Sequence, residues 1–333
     1  MRTFTIAAAA VLSAAALVVS GCSSDHSGSA TRTNIDTLRI GTIGSGNVLT
    51  GPLGFAHSRG ALVSALQDQG VENVEIFSFP NGPDLNQALV AGELDVANYG
   101  DTPALVARGS GLKTRLLALS AFNNNAGVVA KDPAIQTLKD LAGKKIGVPS
   151  GSYIDRYLQG ALQEQGIQAE LIHLFPADQE APLNSGEIDA AALPDVNPSA
   201  SLHAFLAKGF HQVDSVYDNH PNLAGTSASV SSDDFLSSHP DFGATWQQVL
   251  VDAEKYAKDH WDDYVNYEIG SSKFPADVVR AAARPETVPT EPFPAAGIAL
   301  LTGTKQFLVD GGKIRSDFSL DEWLYRPEAA QGS

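Results

Sequence analysis

Apolar and polar positions along this chain switch repeatedly between two periods. Leu38-Arg39-Ile40-Gly41-Thr42-Ile43 alternates, which predicts a strand, and Gly51-Pro52 opens a helix predicted to run to about Gln69. Val74-Glu75-Ile76-Phe77 predicts the next strand. Phe79-Pro80-Asn81-Gly82-Pro83-Asp84 turns into a helix ending near Ala91, and Thr114 to Ser120 predicts a further strand. Asn123-Asn124-Asn125 reads as a polar break. Beyond it come a short strand at Gly127 to Ala130, a helix end at Leu138 to Leu141 and a strand at Lys144 to Val148. A helix from Ser152 to about Gln165, a strand at Leu171 to Leu174 and a helix at Ala177 to Ser185 follow. Strands alternating with helices predict parallel sheet covered on both faces. The last third changes period: 241–267, 276–283 and 294–309 all read as amphipathic helix.

The alternation contains a repeat. Gly92-Glu93-Leu94-Asp95 and the small apolar run after it recur as Gly186-Glu187-Ile188-Asp189, and a second aspartate stands nine residues after each glycine, at Asp101 and Asp195. Upstream, Gly70 answers Gly166 and Phe79-Pro80 answers Phe175-Pro176, at an offset near 95 residues. That period exceeds the roughly 20–50 residues of solenoid repeats and is the size of a small domain. Two similar α/β lobes are therefore expected. In each copy the glycine suits a left-handed helix C-cap. Thr102-Pro103 and Asn197-Pro198 suit an N-cap followed by the first helical residue.

Residues 1–21 have a minimal positive start at Arg2 and an apolar run from Ile6 to Val19, which is too short to span a bilayer. Val19-Ser20-Gly21-Cys22 has the form of a lipoprotein cleavage site. The expectation is a signal peptide over 1–21, a lipidated Cys22 and a flexible Ser/Gly/Thr tether over 22–36. Cys22 is the single cysteine, so the processed chain offers no thiol nucleophile, disulfide or thiolate metal site. Loss of Arg2 with the leader takes the formal charge from −16 to −17. An acidic chain of this kind argues against nucleic-acid binding and says nothing of a ligand's sign.

The loops that follow the predicted strands hold the candidate chemistry. They supply Ser45, Gly46 and Asn47, Asn81, Gly100, Asp101 and Thr102, Ser150 to Tyr153, and Asp195 with Asn197. Asn123 lies at the expected crossing between lobes. Ligands of parallel α/β sheets sit beyond the carboxyl ends of the strands, where helix starts present free N–H groups and a positive dipole end. This arrangement suits an oxyanion. Asp101 and Asp195 have two readings: contact with a ligand amine or hydroxyl, or stabilisation of their own helix dipoles. Phosphate-loop, dinucleotide, zinc-protease and serine-hydrolase motifs are missing, and the eight histidines show no ligand spacing, so neither metal nor cofactor is expected.

The chain resembles the solute-binding proteins of ABC importers, in the aliphatic sulfonate, taurine and nitrate group. The residues that carry the resemblance are Leu38-Arg39-Ile40-Gly41, Gly51-Pro52-Leu53, Phe79-Pro80-Asn81-Gly82-Pro83, Leu89 to Asp95, Gly100-Asp101-Thr102-Pro103 and Leu138 to Ser152. The resemblance implies a type II periplasmic-binding-protein-like α/β fold with two lobes, a cleft and two chain crossovers. Lobe 1 would comprise 37–122 and 225–310, lobe 2 would comprise 123–224, and 311–333 would form a C-terminal segment. It also implies a monomeric receptor outside the membrane, with a small anionic solute of the sulfonate class and ABC permease subunits with a cytoplasmic ATPase as partners. Nitrate, bicarbonate and thiamine-pyrimidine precursors are alternative ligands. Two other classes compete: a desulfinase-like enzyme on the same fold, which the lack of a mature cysteine disfavours, and a surface interaction protein. Relatives carry Trp-Asp-Pro-Tyr where this chain has Pro194-Asp195-Val196-Asn197, which implies a wider or more polar pocket wall.

Overall fold

The repeated Gly-Glu-x-Asp stretch ties one strand to its neighbour in the same way twice. Asp95 accepts from the Arg39 backbone N–H at 2.7 Å and pairs with its guanidinium at 2.6 Å. Asp189 accepts from the Lys145 N–H at 2.9 Å, with the Lys144 ammonium 3.5 Å away. The return bonds match too, from Asp95 N–H to the Arg39 carbonyl at 2.9 Å and from Asp189 N–H to the Lys145 carbonyl at 2.8 Å. Gly92 and Gly186, at φ 71° and 79°, make the left-handed turn into each stretch.

The computed structural model describes residues 34–196 and 199–327. The leader, Cys22, most of the tether, and Asn197 with Pro198 lie outside the described residues. The end of the expected tether is already part of the body. Ile35 donates to the Gln69 carbonyl at 3.3 Å, and Asp36 begins the first strand.

In chain order the first half contains β1 (Asp36–Ile43), α1 (Gly51–Ser58), α2 (Ala61–Ala65), β2 (Val71–Phe79), α3 (Gly82–Val90), β3 (Val96–Gly100) and α4 (Asp101–Gly109). β4 (Thr114–Ala130) belongs to both halves. The second half adds β5 (Lys145–Val148), α5 (Tyr153–Glu164), β6 (Glu170–His173), α6 (Glu180–Ser185), β7 (Ala190–Asp195), α7 (Ser201–Ala207), β8 (His211–Ser215) and α8 (Val216–Asn219). β9 (Gly225–Ser232) returns to the first half. It is followed by α9 (Asp233–Ser238), α10 (Phe242–Asp259), α11 (Trp261–Ser271), α12 (Ala276–Ala282), α13 (Ala295–Asp310) and α14 (Leu320–Trp323).

The strands run in the order β2-β1-β3-β9-β4-β7-β5-β6, with β8 also pairing with β4. This is a periplasmic-binding-protein-like α/β fold. β1 is parallel to β2 and β3, and β5 is parallel to β6 and β7, as expected from the alternation. The sheet as a whole is mixed, because β9 enters from the second half and so lies antiparallel to both β3 and β4. The polar break expected at Asn123 to Asn125 is not a break: β4 runs through it for 17 residues. Its pairing with β9 slips between Ala121 and Asn124, and Asn123 takes φ 57°. The long first helix is divided at Arg59-Gly60, where Gly60 has φ 72°.

Side chains of period two fill a core on each face of each half. Along β4, Ala126, Val128 and Ala130 face one core and Val129 the other. Along β7, Ala190 and Ala192 join the first of these, and Ala191 and Leu193 the second. In the first half, Leu38, Ile40 and Trp246 share one core, while Leu105, Leu116 and Leu301 share the other. Trp246 is fully buried and donates its indole N–H to Ser229 Oγ at 2.8 Å. The C-terminal segment is not separate: Ile314, Trp323 and Leu324 complete the second of these cores, and Tyr325 N–H bonds to the Leu116 carbonyl at 2.8 Å. α12 leaves the first half and packs Val278 and Ala282 against Ala200 and Ala204 of the second.

Candidate functional site

A cavity of about 350 Å³ opens where the carboxyl ends of the parallel strands of the two halves meet. The repeat reaches it symmetrically, since Pro80 and Pro176 of the matched Phe-Pro pairs both line it. So do the starts of α1 and α5, through Thr50 to Leu53 and Ser150 to Ile154.

The two helix starts are built differently. At α5, Ser152 is the N-cap and accepts from Asp155 N–H at 3.2 Å, while the Asp155 carboxylate takes the Gly151 N–H at 2.8 Å. At α1, Gly51 N–H donates to Glu268 of α11 at 2.7 Å. Burial lifts the Glu268 carboxyl to about 7, against the pull of the Gly51 N–H and the Tyr264 hydroxyl. Among the described residues, no acceptor takes the N–H groups of Leu53, Tyr153 or Ile154. All three residues border the cavity, so two helix dipoles and three free donors converge on it.

Six of the residues expected from sequence line this cavity: Asn81, Gly100, Ser150, Gly151, Ser152 and Tyr153. Asn81 also caps α3 by accepting from Asp84 N–H at 2.8 Å. The Tyr153 phenol turns inward and donates to the Asn125 carbonyl at 2.9 Å, and burial pushes its pKa well up. Its ring fills the space a side chain at Gly225 would need, since a Cβ there would lie 2.5 Å from the ring.

The other expected residues lie off the cavity wall. Ser45, Gly46 and Asn47 sit in an exposed loop, where Asn47 is tied to Ser78 by two 3.0 Å bonds. Asp101 is fully buried. It accepts from Thr226 N–H at 2.9 Å, Thr226 Oγ1 at 3.2 Å, Thr304 Oγ1 at 3.4 Å and Thr102 Oγ1 at 2.9 Å. That saturates its oxygens and occupies the Thr102 hydroxyl. The helix expected to begin at Thr102-Pro103 starts two residues earlier, with Gly100 at its N-cap. Asn123 accepts from the Tyr217 hydroxyl at 2.6 Å and borders a separate, open hollow with Phe122 and Asn222. Asp195 is buried among Asn125 at 2.8 Å, His203 at 3.0 Å and Arg284 at 3.2 Å. Burial opposes its ionisation. His203, Arg284 and Asn125 together outweigh burial and hold the carboxyl below the ordinary range.

Sequence reasoning missed Asn98, Asn124, Glu254, Trp261, Tyr264 and Arg284, all of which line the cavity. Asn124 donates to Ser227 Oγ at 3.1 Å. A strand reading of the three asparagines would have turned the middle one to the opposite face from its neighbours. Both amide atoms of Asn98 are buried without a protein partner. Trp261 and Tyr264 of α11 supply aromatic wall. Glu254 is 2% exposed, and its Oε1 has no hydrogen-bond partner among the described residues. Burial drives its carboxyl well above the carboxylate range, against the charge of Lys258. Arg284 is the cation on the wall, and Asp195 and the Tyr217 ring, 5.1 Å from its guanidinium carbon, already engage it.

The NMT1/THI5-like family profile matches residues 66–262. The chain belongs to that family. An Escherichia coli (strain K12) relative named for aliphatic sulfonate binding is 33% identical over 129 residues, 37% of this chain and 40% of the relative. A Bacillus subtilis (strain 168) relative with the same name is 26% identical over 258 residues, 76% and 74% of the two chains. The taurine-binding periplasmic protein of E. coli K12 is 27% identical over 182 residues, 53% of this chain and 55% of that one. The chain thus spans less than half of the first of these relatives and about three quarters of the second. In fold, the periplasmic aliphatic sulphonate binding protein SsuA from E. coli superimposes with a TM-score of 0.69 at 21% identity, over 87% of this chain and 97% of that one. The desulfurization enzyme DSZB gives 0.67 at 20% identity, over 88% and 97%. Binding proteins and an enzyme share this architecture, so the fold alone does not choose between them.

Proposed function

We propose that this chain is the extracytoplasmic receptor of an ABC importer and captures a small organic anion of the sulfonate class between its two halves. The observation that carries this reading is the convergence of the α1 and α5 starts on one cavity, with the Leu53, Tyr153 and Ile154 N–H groups unclaimed. A sulfonate has three oxygens, no proton to lose near neutral pH, and an organic body for the apolar part of the cavity. Helix-start donors complement such a group without a full counter-charge. This agrees with a wall whose one arginine is already paired. The sulfonate and taurine names of the relatives support the same ligand class.

In this reading the halves close around the ligand by bending where β4 passes Asn123 and where the chain returns near Gly225, and the closed form docks on its permease. Lipidation of Cys22 would hold the monomeric receptor at the membrane, with 23–34 as spacer. The desulfinase-like alternative lacks its chemistry: Cys22 is the single cysteine of the chain and stands at the cleavage site. No catalytic step is assigned. Titration calorimetry with alkanesulfonates, taurine, nitrate and bicarbonate tests the proposal. One-to-one binding of a sulfonate, with weaker or no binding of nitrate and bicarbonate, is the expected outcome. A sulfonate panel of varied length and shape that gives no binding overturns it.

A further inference from the structure

The helix starts occupy one part of the cavity wall, and α10 and α11 close another with Leu250, Trp261, Tyr264 and Glu254. Three of these four are the apolar or aromatic wall expected around a ligand's body. The fourth is a carboxyl group. A buried polar group normally finds a partner, and each exception asks for a reason. Glu254 is 2% exposed, and its Oε1 is buried with no protein partner. Lys258, one turn further along α10, acts on it through charge without bonding that oxygen. Leucine at this position would pack against Leu250 and Trp261 without the desolvation cost that a buried carboxyl carries. The cavity is also of a size that suits more than a two-carbon ligand, since pockets for drug-sized molecules start at about 300 Å³.

We propose that Glu254 is a specificity residue that accepts a hydrogen bond from an amino group on the body of the bound anion, so that the ligand is an amino-substituted organosulfonate longer than a two-carbon chain. This rests on the reading of the site as an organic-anion receptor. The groups that line the cavity then divide the work. Helix-start N–H groups take the oxyanion, the aromatic wall takes the carbon body, and Glu254 reads the amino substituent. Asn98, which also lines the cavity and whose two amide atoms have no partner among the described residues, adds a donor and an acceptor for the ligand. Burial pushes the Glu254 carboxyl well up, which lessens the cost of a buried carboxyl without a partner.

The test uses matched probes: hexanesulfonate with 6-aminohexanesulfonate, and naphthalene-1-sulfonate with 5-aminonaphthalene-1-sulfonate. Binding is measured by calorimetry on the wild type, Glu254→Leu and Glu254→Gln. At least one amino member should bind the wild type tenfold or more tightly than its parent. Glu254→Leu should bring that ratio to within twofold. Glu254→Gln should keep part of the preference for the aromatic amine and lose that for the charged one. Thermal melts confirm that both variants fold. Equal affinity for parent and amino forms in the wild type overturns the proposal and leaves the anion reading standing, as does an unchanged preference in Glu254→Leu. If neither parent nor amino form binds, the anion reading falls and the proposal falls with it.

Discussion

The two copies of the repeat place their second aspartates at matched positions and use them differently. Asp101 begins α4 and is satisfied by four neutral donors from Thr102, Thr226 and Thr304. It ties three elements of the first half at the point where the chain returns through β9. Asp195 ends β7 and sits against Asn125, His203 and Arg284. The next helix, α7, begins only at Ser201, so Asp195 sits at no helix start. The first aspartate holds one half together with hydrogen bonds. The second joins β4 through an amide, α7 through an imidazole and the segment after α12 through a guanidinium. Matching positions in a repeat therefore carry the backbone plan of Gly92 and Gly186 and of Asp95 and Asp189, while side-chain duty diverges with the surroundings.

The largest expected effect breaks the first tie. Asp101→Ala leaves the buried Thr226 N–H without an acceptor and strands the hydroxyls around it, at a cost of about 4 kcal/mol. Denaturant melts should show this loss. A loss below about 1 kcal/mol would mean that the threonines satisfy one another and that Asp101 is free for another role.

The comparison extends to the two helix starts on the cavity. Asp155, a local residue, serves α5, and Glu268, more than 200 residues away in sequence, serves α1. With its carboxyl lifted from 4.5 to about 7, folded Glu268 keeps a proton that the unfolded chain has lost. Between those values the folded state binds more protons, so this residue's contribution to stability falls as pH rises and levels off above about 7. The shift corresponds to about 3 kcal/mol. Glu268→Gln should match the wild type near pH 4 and exceed it by about 3 kcal/mol at pH 8 in urea melts. A pH-independent difference would rule out titration of Glu268 as the cause.

Arg284→Ala tests the charged tie and should cost less, about 2 kcal/mol, because Asp195 keeps His203 and Asn125. It also removes one of the groups that hold the Asp195 carboxyl down. A depressed carboxyl stabilises the fold above its unfolded value and loses that contribution as pH falls through its folded value. In the variant, acid unfolding should therefore begin at higher pH than in the wild type. Equal acid midpoints would show that Arg284 adds nothing to the tie.

What could be read from the sequence was local. Gly92 and Gly186 need a left-handed backbone that few other residues tolerate, and the α10 to α13 region shows its helical period directly. Asp101 illustrates what could not be read: its fate is decided by Thr226 and Thr304, 125 and 203 residues away. The strand through Asn123 to Asn125 was hidden for a related reason. Three asparagines read as a turn, and pairing with β7, β8 and β9 on either side carries β4 past them. Glu254 and Arg284 gave no signal at all, since a glutamate on an amphipathic helix and an arginine in a loop look like surface until the neighbouring halves enclose them.

The smallest expected effect lies at the junction between the two copies. Asn123 holds φ 57°, a left-handed conformation that asparagine tolerates, glycine adopts freely and a β-branched residue resists. Its interaction with Tyr217 is through the main-chain carbonyl, so changing the side chain leaves the acceptor in place. Asn123→Gly should therefore fall within about 0.5 kcal/mol of the wild type, with strain relief offset by the greater freedom of the unfolded chain. Asn123→Val should cost about 1–2 kcal/mol through backbone strain alone. Paired denaturant melts of the two variants separate backbone from side chain. If valine is as harmless as glycine, β4 relaxes at this point without penalty and the junction is soft. If glycine costs as much as valine, the asparagine amide itself holds the two halves together, and the junction belongs with Asp101 and Asp195 among the side-chain ties.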